Sequence, residues 1–218
     1  MLHRWHRRKG AQFAEQDGSL IVTRYGSQAD EGSAARKLGL CDLSTMPRTG
    51  VTGAGSTDWL AALGLSVPET PNRAVRQPGG DALARLSDNE YLLLGTRWLA
   101  RDGSPAGFTE FSDHPDQRVY ALPRLDSHCC LALTGTHAVE ALSKICAVDF
   151  RPHAFADGNV AQTSIAHLPA IVIRHDLHQC PCFLVLVTSV AAEYALEAIL
   201  DAMAEFHGSP VGLQALQS

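Results

Sequence analysis

Twice along the chain a short apolar strand runs into a Thr-Gly turn and then into an amphipathic helix. The clearer copy is Cys129-Cys130-Leu131-Ala132-Leu133-Thr134-Gly135 with a helix over 137–146; the other is Arg48-Thr49-Gly50-Val51-Thr52-Gly53 with a helix over 56–63. Laying Thr52-Gly53 on Thr134-Gly135 sets Asp58 on Glu140, Leu60 on Leu142 and Leu63 on Ile145. In both copies the acid falls in the first helical turn, where the macrodipole favours it. The aliphatics fall three apart, on one helix face. A unit used twice predicts a fold of two related strand-and-helix halves.

A chain of 218 residues fits one large domain or two small ones. Folding at this size buries about 70% of the unfolded chain's surface, so the core needs no metal or disulfide staple. A formal net charge of −5 argues against a general nucleic-acid binder, which carries a basic field. The ten histidines make that acidic balance hold only near neutrality. No apolar run reaches the roughly 20 residues that a membrane helix needs. The basic start, Met1-Leu2-His3-Arg4-Trp5-His6-Arg7-Arg8-Lys9, leads into no apolar signal-peptide stretch. A cytoplasmic protein without membrane or nucleic-acid partners is expected. Cys41, Cys129, Cys130, Cys146, Cys180 and Cys182 stand mostly among apolar neighbours, so a reduced compartment is expected too.

Residues 2–9 predict a short helix with Leu2 and Trp5 on one side and Arg4, Arg7 and Arg8 on the other, ended by Gly10. That basic face suits either an acidic partner or plain solvent, and solvent is the commoner case for a charge run. Residues 19–25 read as a strand bounded by Gly18 and Gly26, and 29–37 as a helix stopped by Gly39. After the first unit, Pro68-Glu69-Thr70-Pro71-Asn72 is a turn-rich link. Strands over 82–86 and 90–95 then form a hairpin about Ser87-Asp88-Asn89. Residues 101–117 are polar and turn-rich, a connection between the halves. In the second unit Thr136 is placed to cap its helix. A hairpin over 170–175 and 182–187 follows, and then the strongest helix, with Ser189 as its cap and Gly208 at its C′ position. The tail from Ser209 is expected to be loose.

His6, Gly10-Ala11, Phe13, Tyr25-Gly26, Glu31, Ala35-Arg36 and the run Gly39-Leu40-Cys41-Asp42-Leu43-Ser44, with Arg48, Val51 and Gly53, resemble the opening of the glycine-cleavage T-protein (aminomethyltransferase) family in order and spacing. The resemblance covers about sixty residues. It implies a long segment after the first helix, with an acidic pair beside glycines that contributes to a folate site. Here that segment is much shortened, and Gly79-Gly80-Asp81 keeps one acid. Asp81 in a Gly-Gly turn reads as a turn former rather than a general base, which argues against aminomethyl transfer.

Leu133-Thr134-Gly135 with the helix to Cys146, Asp149-Phe150-Arg151-Pro152, Thr163-Ser164-Ile165-Ala166-His167 and Phe183-Leu184-Val185-Leu186-Val187 before Thr188-Ser189 resemble the gamma subunit of heterotetrameric sarcosine oxidases and N-methylglutamate dehydrogenases. That family is itself similar to the amino-terminal region of the T-protein. Both partial resemblances therefore point the same way.

Three clusters invite chemistry. The stretch from His175 to Cys182 offers His175, His178, Cys180 and Cys182, the donor set of a zinc site. Only Pro181 separates the two cysteines, however, whereas structural zinc pairs leave two to four residues between them; a polar hairpin turn fits better, and metal binding stays open. Cys129-Cys130, beside His128, suggests redox chemistry, but alternation on a strand sends the two sulfurs to opposite faces, into core. His167 and Arg151 stand at the edges of apolar elements, where a hydrogen bond to backbone or to a partner subunit is the expected role. No phosphate loop, dinucleotide fingerprint or nucleophile elbow is present in the sequence.

The expected fold is α+β: two related strand-and-helix halves with antiparallel sheets covered by helices, like the amino-terminal part of the T-protein. One domain spans 1–208, with pseudo-halves of about 1–100 and 118–208 and a loose tail at 209–218. The resemblance implies a non-catalytic gamma subunit of a flavoenzyme that oxidatively demethylates a secondary amine such as sarcosine or N-methylglutamate. It also implies alpha, beta and delta subunits as partners, no cofactor in this chain, and FAD, FMN, NAD, tetrahydrofolate and zinc in the others. The same implied role leaves catalytic, cofactor-binding and metal residues in this chain at none. The alternative is a minimal tetrahydrofolate-dependent aminomethyltransferase-like enzyme. A folate sensor of the iron–sulfur maintenance type comes last, since its Cys-containing motif is absent.

Overall fold

A computed structural model describes residues 2–16, 18–99, 108, 110–178 and 180–217. The chain opens with α1 (His3–Arg8), the hairpin β1 (Gln12–Gln16) and β2 (Ser19–Arg24), and α2 (Gln28–Leu38). Then come β3 (Gly39–Asp42), β4 (Arg48–Thr52), α3 (Ser56–Ala62), β5 (Arg73–Arg76), β6 (Ala82–Arg85) and β7 (Glu90–Leu94). The second half follows with β8 (Tyr120–Pro123), β9 (His128–Thr134), α4 (Ala138–Ser143), β10 (Val160–Ile165), β11 (Leu168–Arg174), β12 (Cys182–Thr188), α5 (Ala192–Met203), β13 (Ser209–Pro210) and α6 (Leu213–Leu216). One sheet has the order β10-β11-β12-β9-β3-β13 and the other β5-β6-β7-β4-β8.

Strand alternation distributes the side chains into three cores. Cys129, Leu131 and Leu133 of β9 face α1, α4 and α5, packing with Trp5, Leu142, Leu196 and Ile199. Cys130 and Ala132 of the same strand face the other sheet and meet Leu92, Leu94, Leu184 and Trp98. On the outer face of the second sheet Val51, Leu83, Tyr91 and Leu93 pack against Leu60 of α3 and against Phe111. Each of these fully buried aliphatics contributes about 1.5–3 kcal/mol. The result is a helix–sheet–sheet–helix arrangement, with the two sheets sharing the middle core. Neither sheet closes into a barrel among the described residues.

The duplicated unit recurs in the structure with one register. Thr52 lies between Glu90 and Tyr120, and Thr134 between Cys182 and Gly39. One residue back, Val51 lies between Tyr91 and Ala121, and Leu133 between Phe183 and Leu40. Arg85 stands opposite Tyr91 with its guanidinium 5.6 Å from the ring, and Arg174 opposite Phe183 at 5.7 Å. Gly53 (φ +126°) and Gly135 (φ +112°) both take a backbone conformation that favours glycine. A Cβ would come within 2.0 Å of the Arg118 carbonyl oxygen at the first and within 2.4 Å of Lys37 backbone at the second.

The halves exchange a strand. β3 precedes β4 in sequence but pairs with β9, and β8 precedes β9 but pairs with β4. The sequence halves and the structural halves are therefore different sets of residues. At the far side the equivalent residues Arg73 and Asn159 bridge each other. There the Ala74 N–H donates to Gly158 (2.7 Å) and the Val160 N–H donates to Asn72 (3.0 Å), the reciprocal pattern of a local twofold axis. Where the two strand exchanges cross, the buried Arg48 guanidinium donates to the carbonyls of Ser44 and Met46 on one crossing and of Arg124, Leu125 and His128 on the other.

Several expectations are corrected. The tail is packed, not loose: β13 runs parallel to β3, the Val211 N–H donates to Leu40, and Leu213, Ala215 and Leu216 are buried in the middle core. Leu213 and Leu216 at helical spacing drive this, in a segment too short to show periodicity. Thr136 does not cap α4; its hydroxyl donates to the Lys37 carbonyl. Ser189 does not cap α5 either, because a 3-10 turn over Ser189–Ala191 intervenes. The left-handed position after that helix belongs to His207 (φ +56°), not to Gly208. In the connection, residues 100–107 and 109 lie outside the described residues, while Phe108 and Phe111 pack on the outer core of the second sheet. β1, β3, β5, β8, β10 and the 3-10 turn Thr96–Leu99 have no strand or helix expected for them from the sequence.

Candidate functional site

The Gly39–Ser44 run sits where β3 leaves one half for the other, and its polar residues are tied into a buried brace. The His6 ring, 2% exposed, donates from Nε2 to Asp42 Oδ2 (2.8 Å), and its Nδ1 shares a hydrogen bond with the Tyr25 hydroxyl (2.6 Å). The other Asp42 oxygen accepts from the Ser44 N–H (2.9 Å) and hydroxyl (2.5 Å). Burial alone would push the Asp42 carboxyl up, but the bonds from His6 and Ser44 outweigh it and hold the group below the usual carboxylate range. Glu31 of α2 accepts the backbone N–H groups of Tyr25 and Gly26 (2.6 Å each) on one oxygen and of Gly212 (2.7 Å) on the other. His6, Tyr25, Glu31, Asp42 and Ser44 are therefore spent on holding α1, the β1–β2 hairpin and the tail to the body. Burial lowers the Arg48 pKa, because loss of solvent penalises the charged form.

Asp81, 3% exposed, does more than form a turn. Both its oxygens accept from the Arg97 guanidinium, and its carbonyl accepts from the Gln77 N–H. That bidentate bond raises the Arg97 pKa. A carboxylate with both oxygens occupied by a guanidinium is poorly placed to take a proton from a substrate.

The His175–Cys182 stretch is a hairpin turn whose four donors are not gathered around one point. His175 Nε2 lies 2.8 Å from the Arg76 guanidinium, and Cys182 is buried in the middle core. Cys180 is half-buried with its sulfur 4.0 Å from the Ala35 and Arg36 carbonyls, and His178 stands in a left-handed conformation (φ +47°). Among the described residues no three His, Cys, Asp or Glu side chains are grouped as a metal would need. Instead the stretch joins a charge network. Asp176 accepts from Arg174 through two bonds of 2.9 Å, Asp157 accepts from the Asp176 N–H (2.9 Å), and Arg76 reaches Asp157 (3.2 Å). Burial first, and then the Arg76 charge, push the His175 pKa down to about 4.

Cys129 and Cys130 enter different cores, as alternation requires, and burial raises their thiols to about 11 and about 12. Both are weak nucleophiles at neutral pH. Arg151 pairs with Asp149 of its own motif (2.6 and 2.8 Å), beside the buried Phe150 that packs on Phe155 and Phe183.

His167 is exposed at the tip of the β10–β11 hairpin. Ile165 faces Leu168, so Ala166 (φ +48°) and His167 (φ +67°) make a two-residue loop with both residues left-handed. Such loops favour Asn-Gly, and a Cβ at each position makes this one strained. It is held by the Ala166 N–H to Ile145 (2.9 Å) and by the Tyr194 hydroxyl to Ala166 (3.2 Å). An open groove lies on each side of this hairpin: one of ≈ 810 Å³ toward α4 and α5, reached by Tyr194 and Ala198, and one of ≈ 450 Å³ toward the middle core, reached by Ile171 and Leu186. The sequence carried a signal for the turn, two residues between strand-like runs, but none for the grooves.

No protein-family model matches the sequence, and no curated protein matches it either. Among solved structures the chain is similar to the heterotetrameric sarcosine oxidase from Corynebacterium sp. U-96, at 20% identity over 82% of this chain and 92% of that one, with a TM-score of 0.61. It is also similar to the glycine cleavage system aminomethyltransferase T from Bartonella henselae, at 17% identity over 99% of this chain, with a TM-score of 0.68. The chain spans 59% of the length of that aminomethyltransferase. At these identities the likeness is one of fold: the architecture is T-protein-like, with antiparallel sheets and helices. No helix among the described residues is long and apolar enough to cross a membrane.

Proposed function

We propose that this chain is a non-catalytic subunit of a multi-subunit amine-oxidising flavoenzyme, in the position of the gamma subunit of the sarcosine oxidase and N-methylglutamate dehydrogenase assemblies. The observation that carries the reading is the Asp81–Arg97 pair. The buried acid that the T-protein resemblance offers as a catalytic base already has both oxygens bound to the partly exposed Arg97 guanidinium. The other buried polar clusters, around Asp42, Glu31 and Arg48, bond to the chain's own backbone and side chains in the same way. The fold likeness to a chain of a heterotetrameric oxidase, over 92% of that chain, supports the same reading. In it the alpha, beta and delta subunits are the partners. They hold the flavins, nicotinamide nucleotide, folate and zinc, the assembly works in the cytoplasm, and this chain stabilises it.

The likeness to an aminomethyltransferase over 99% of this chain favours the second reading, a minimal folate-dependent transferase. Calorimetric titration of the isolated chain with tetrahydrofolate separates the two. The subunit reading expects no binding heat. Saturable binding that is lost on Asp81→Asn substitution would overturn it in favour of the transferase.

A further inference from the structure

The two large sheets end in four edge strands, and three of them are blunted. β5 carries Arg73 and Arg76. On β8 the outward Ala121 N–H is taken by the Asp113 carboxylate (2.7 Å), and Pro123 has no N–H to offer. β13 is two residues long and contains Pro210. Charge, proline and shortness are the usual protections of a sheet edge. β10, Val-Ala-Gln-Thr-Ser-Ile, has none of them.

The hydrogen bonds show which groups β10 leaves free. Its Val160 N–H points away from β11, to Asn72, so alternation along an antiparallel pair turns the N–H and C=O of Gln162 and Ser164 outward as well. Both residues are exposed, and no other described segment makes a backbone hydrogen bond to them. The grooves of ≈ 810 and ≈ 450 Å³ flank this same edge, one on each face of the sheet, and Thr163 and Ser164 border both. A strand laid along β10 would send successive side chains alternately into the two. One is floored by the aliphatics Ile171 and Leu186, the other bordered by Ser143, Tyr194 and Asp201. A helix or a small molecule would use one groove, whereas an extended strand uses both and the edge between them.

The geometry points to strand addition: an extended segment of a partner subunit pairs with β10 at Gln162 and Ser164. It places apolar side chains over Ile171 and Leu186 and polar ones beside Tyr194 and Asp201. This rests on the subunit reading above and deepens it by naming the surface.

The test co-expresses the chain with the three flavoenzyme subunits from the same source and measures co-purification and amide exchange. Ser164→Pro removes one outward N–H without touching the ladder to β11, and Ser164→Lys leaves the backbone intact and adds an edge charge. With wild type in the complex, the Gln162 and Ser164 amides should exchange at least tenfold more slowly than in the free chain. Both variants, with unchanged thermal midpoints, should lose at least tenfold in recovery of the partners. If wild type and both variants recover the partners equally, and those two amides exchange as in the free chain, strand addition is wrong while the subunit reading stands. If wild type recovers no partner, the subunit reading falls and the inference with it. If β10 is protected instead in a dimer of this chain, the occupant is a second copy and the inference is overturned.

Discussion

Arg48 shows how one side chain can hold a strand exchange together. Its guanidinium ties five carbonyls from the two crossings, and no carboxylate is among its bonded partners. Arg48→Met leaves those carbonyls unpaired in the interior and should lower unfolding free energy by about 3 kcal/mol or more in urea titrations, while Arg48→Lys, a point charge in place of a planar fork, should restore little. His175 makes a prediction about pH. Its folded pKa is depressed to about 4, below the usual histidine value near 6.5, so the unfolded chain binds the extra proton first. Stability contributed by the neutral ring is complete above about pH 6.5 and is lost as pH falls toward about 4, at most roughly 3 kcal/mol. Unfolding titrations between pH 7.5 and 4.5 should show this slope, and His175→Gln, which keeps an acceptor toward Arg76, should flatten it. Residue identities were legible in the sequence where they sit in an ordered motif: Asp42 and Glu31 were singled out with their neighbours. Their roles were not, because a carboxylate's partners here lie as far off as Gly212.

At the scale of elements the repeat makes a paired prediction. Gly53→Ala and Gly135→Ala each bring a Cβ within 2.4 Å of backbone and should each cost several kcal/mol, whereas Gly64→Ala, at φ +80° with nothing within 4 Å, should cost only its strain, about 1 kcal/mol. Equal losses at Gly53 and Gly64 would mean that the close approach is unimportant. The β10–β11 loop offers the opposite sign: Ala166→Asn with His167→Gly suits two left-handed positions and should raise stability by about 1 kcal/mol in thermal or urea melts. The strands β2, β4, β6, β7, β9, β11 and β12 and the helices α1 to α5 were readable from the sequence. Among those that escaped were β5, hidden between the Pro68-Glu69-Thr70-Pro71 link and the Pro78-Gly79-Gly80 turn, and the tail helix α6, four residues long. Both are stabilised by partners far away in sequence rather than by local pattern: β5 by β6 and Asn159, α6 by α2.

At the scale of the whole molecule, two sheets are joined by exchanged strands at one side and by the Arg73–Asn159 bridge at the other, with the middle core between them. The duplicated unit announced two halves, but a strand exchange leaves no local trace, since β3 pairs with β9 and β4 with β8 far along the chain as readily as with a neighbour in sequence. The proposed subunit role draws on this scaffold, with its buried acids already bonded internally and one sheet edge left open. The most direct measurement is size-exclusion chromatography of this chain co-expressed with the flavoenzyme subunits of its source, followed at flavin and protein wavelengths. A subunit role predicts one peak containing this chain in equimolar amount with the flavin-bearing subunits, retaining amine oxidation when Asp81 is replaced by Asn. A chain that elutes alone as a stable monomer, with the flavin-bearing subunits assembled and fully active without it, would contradict the account.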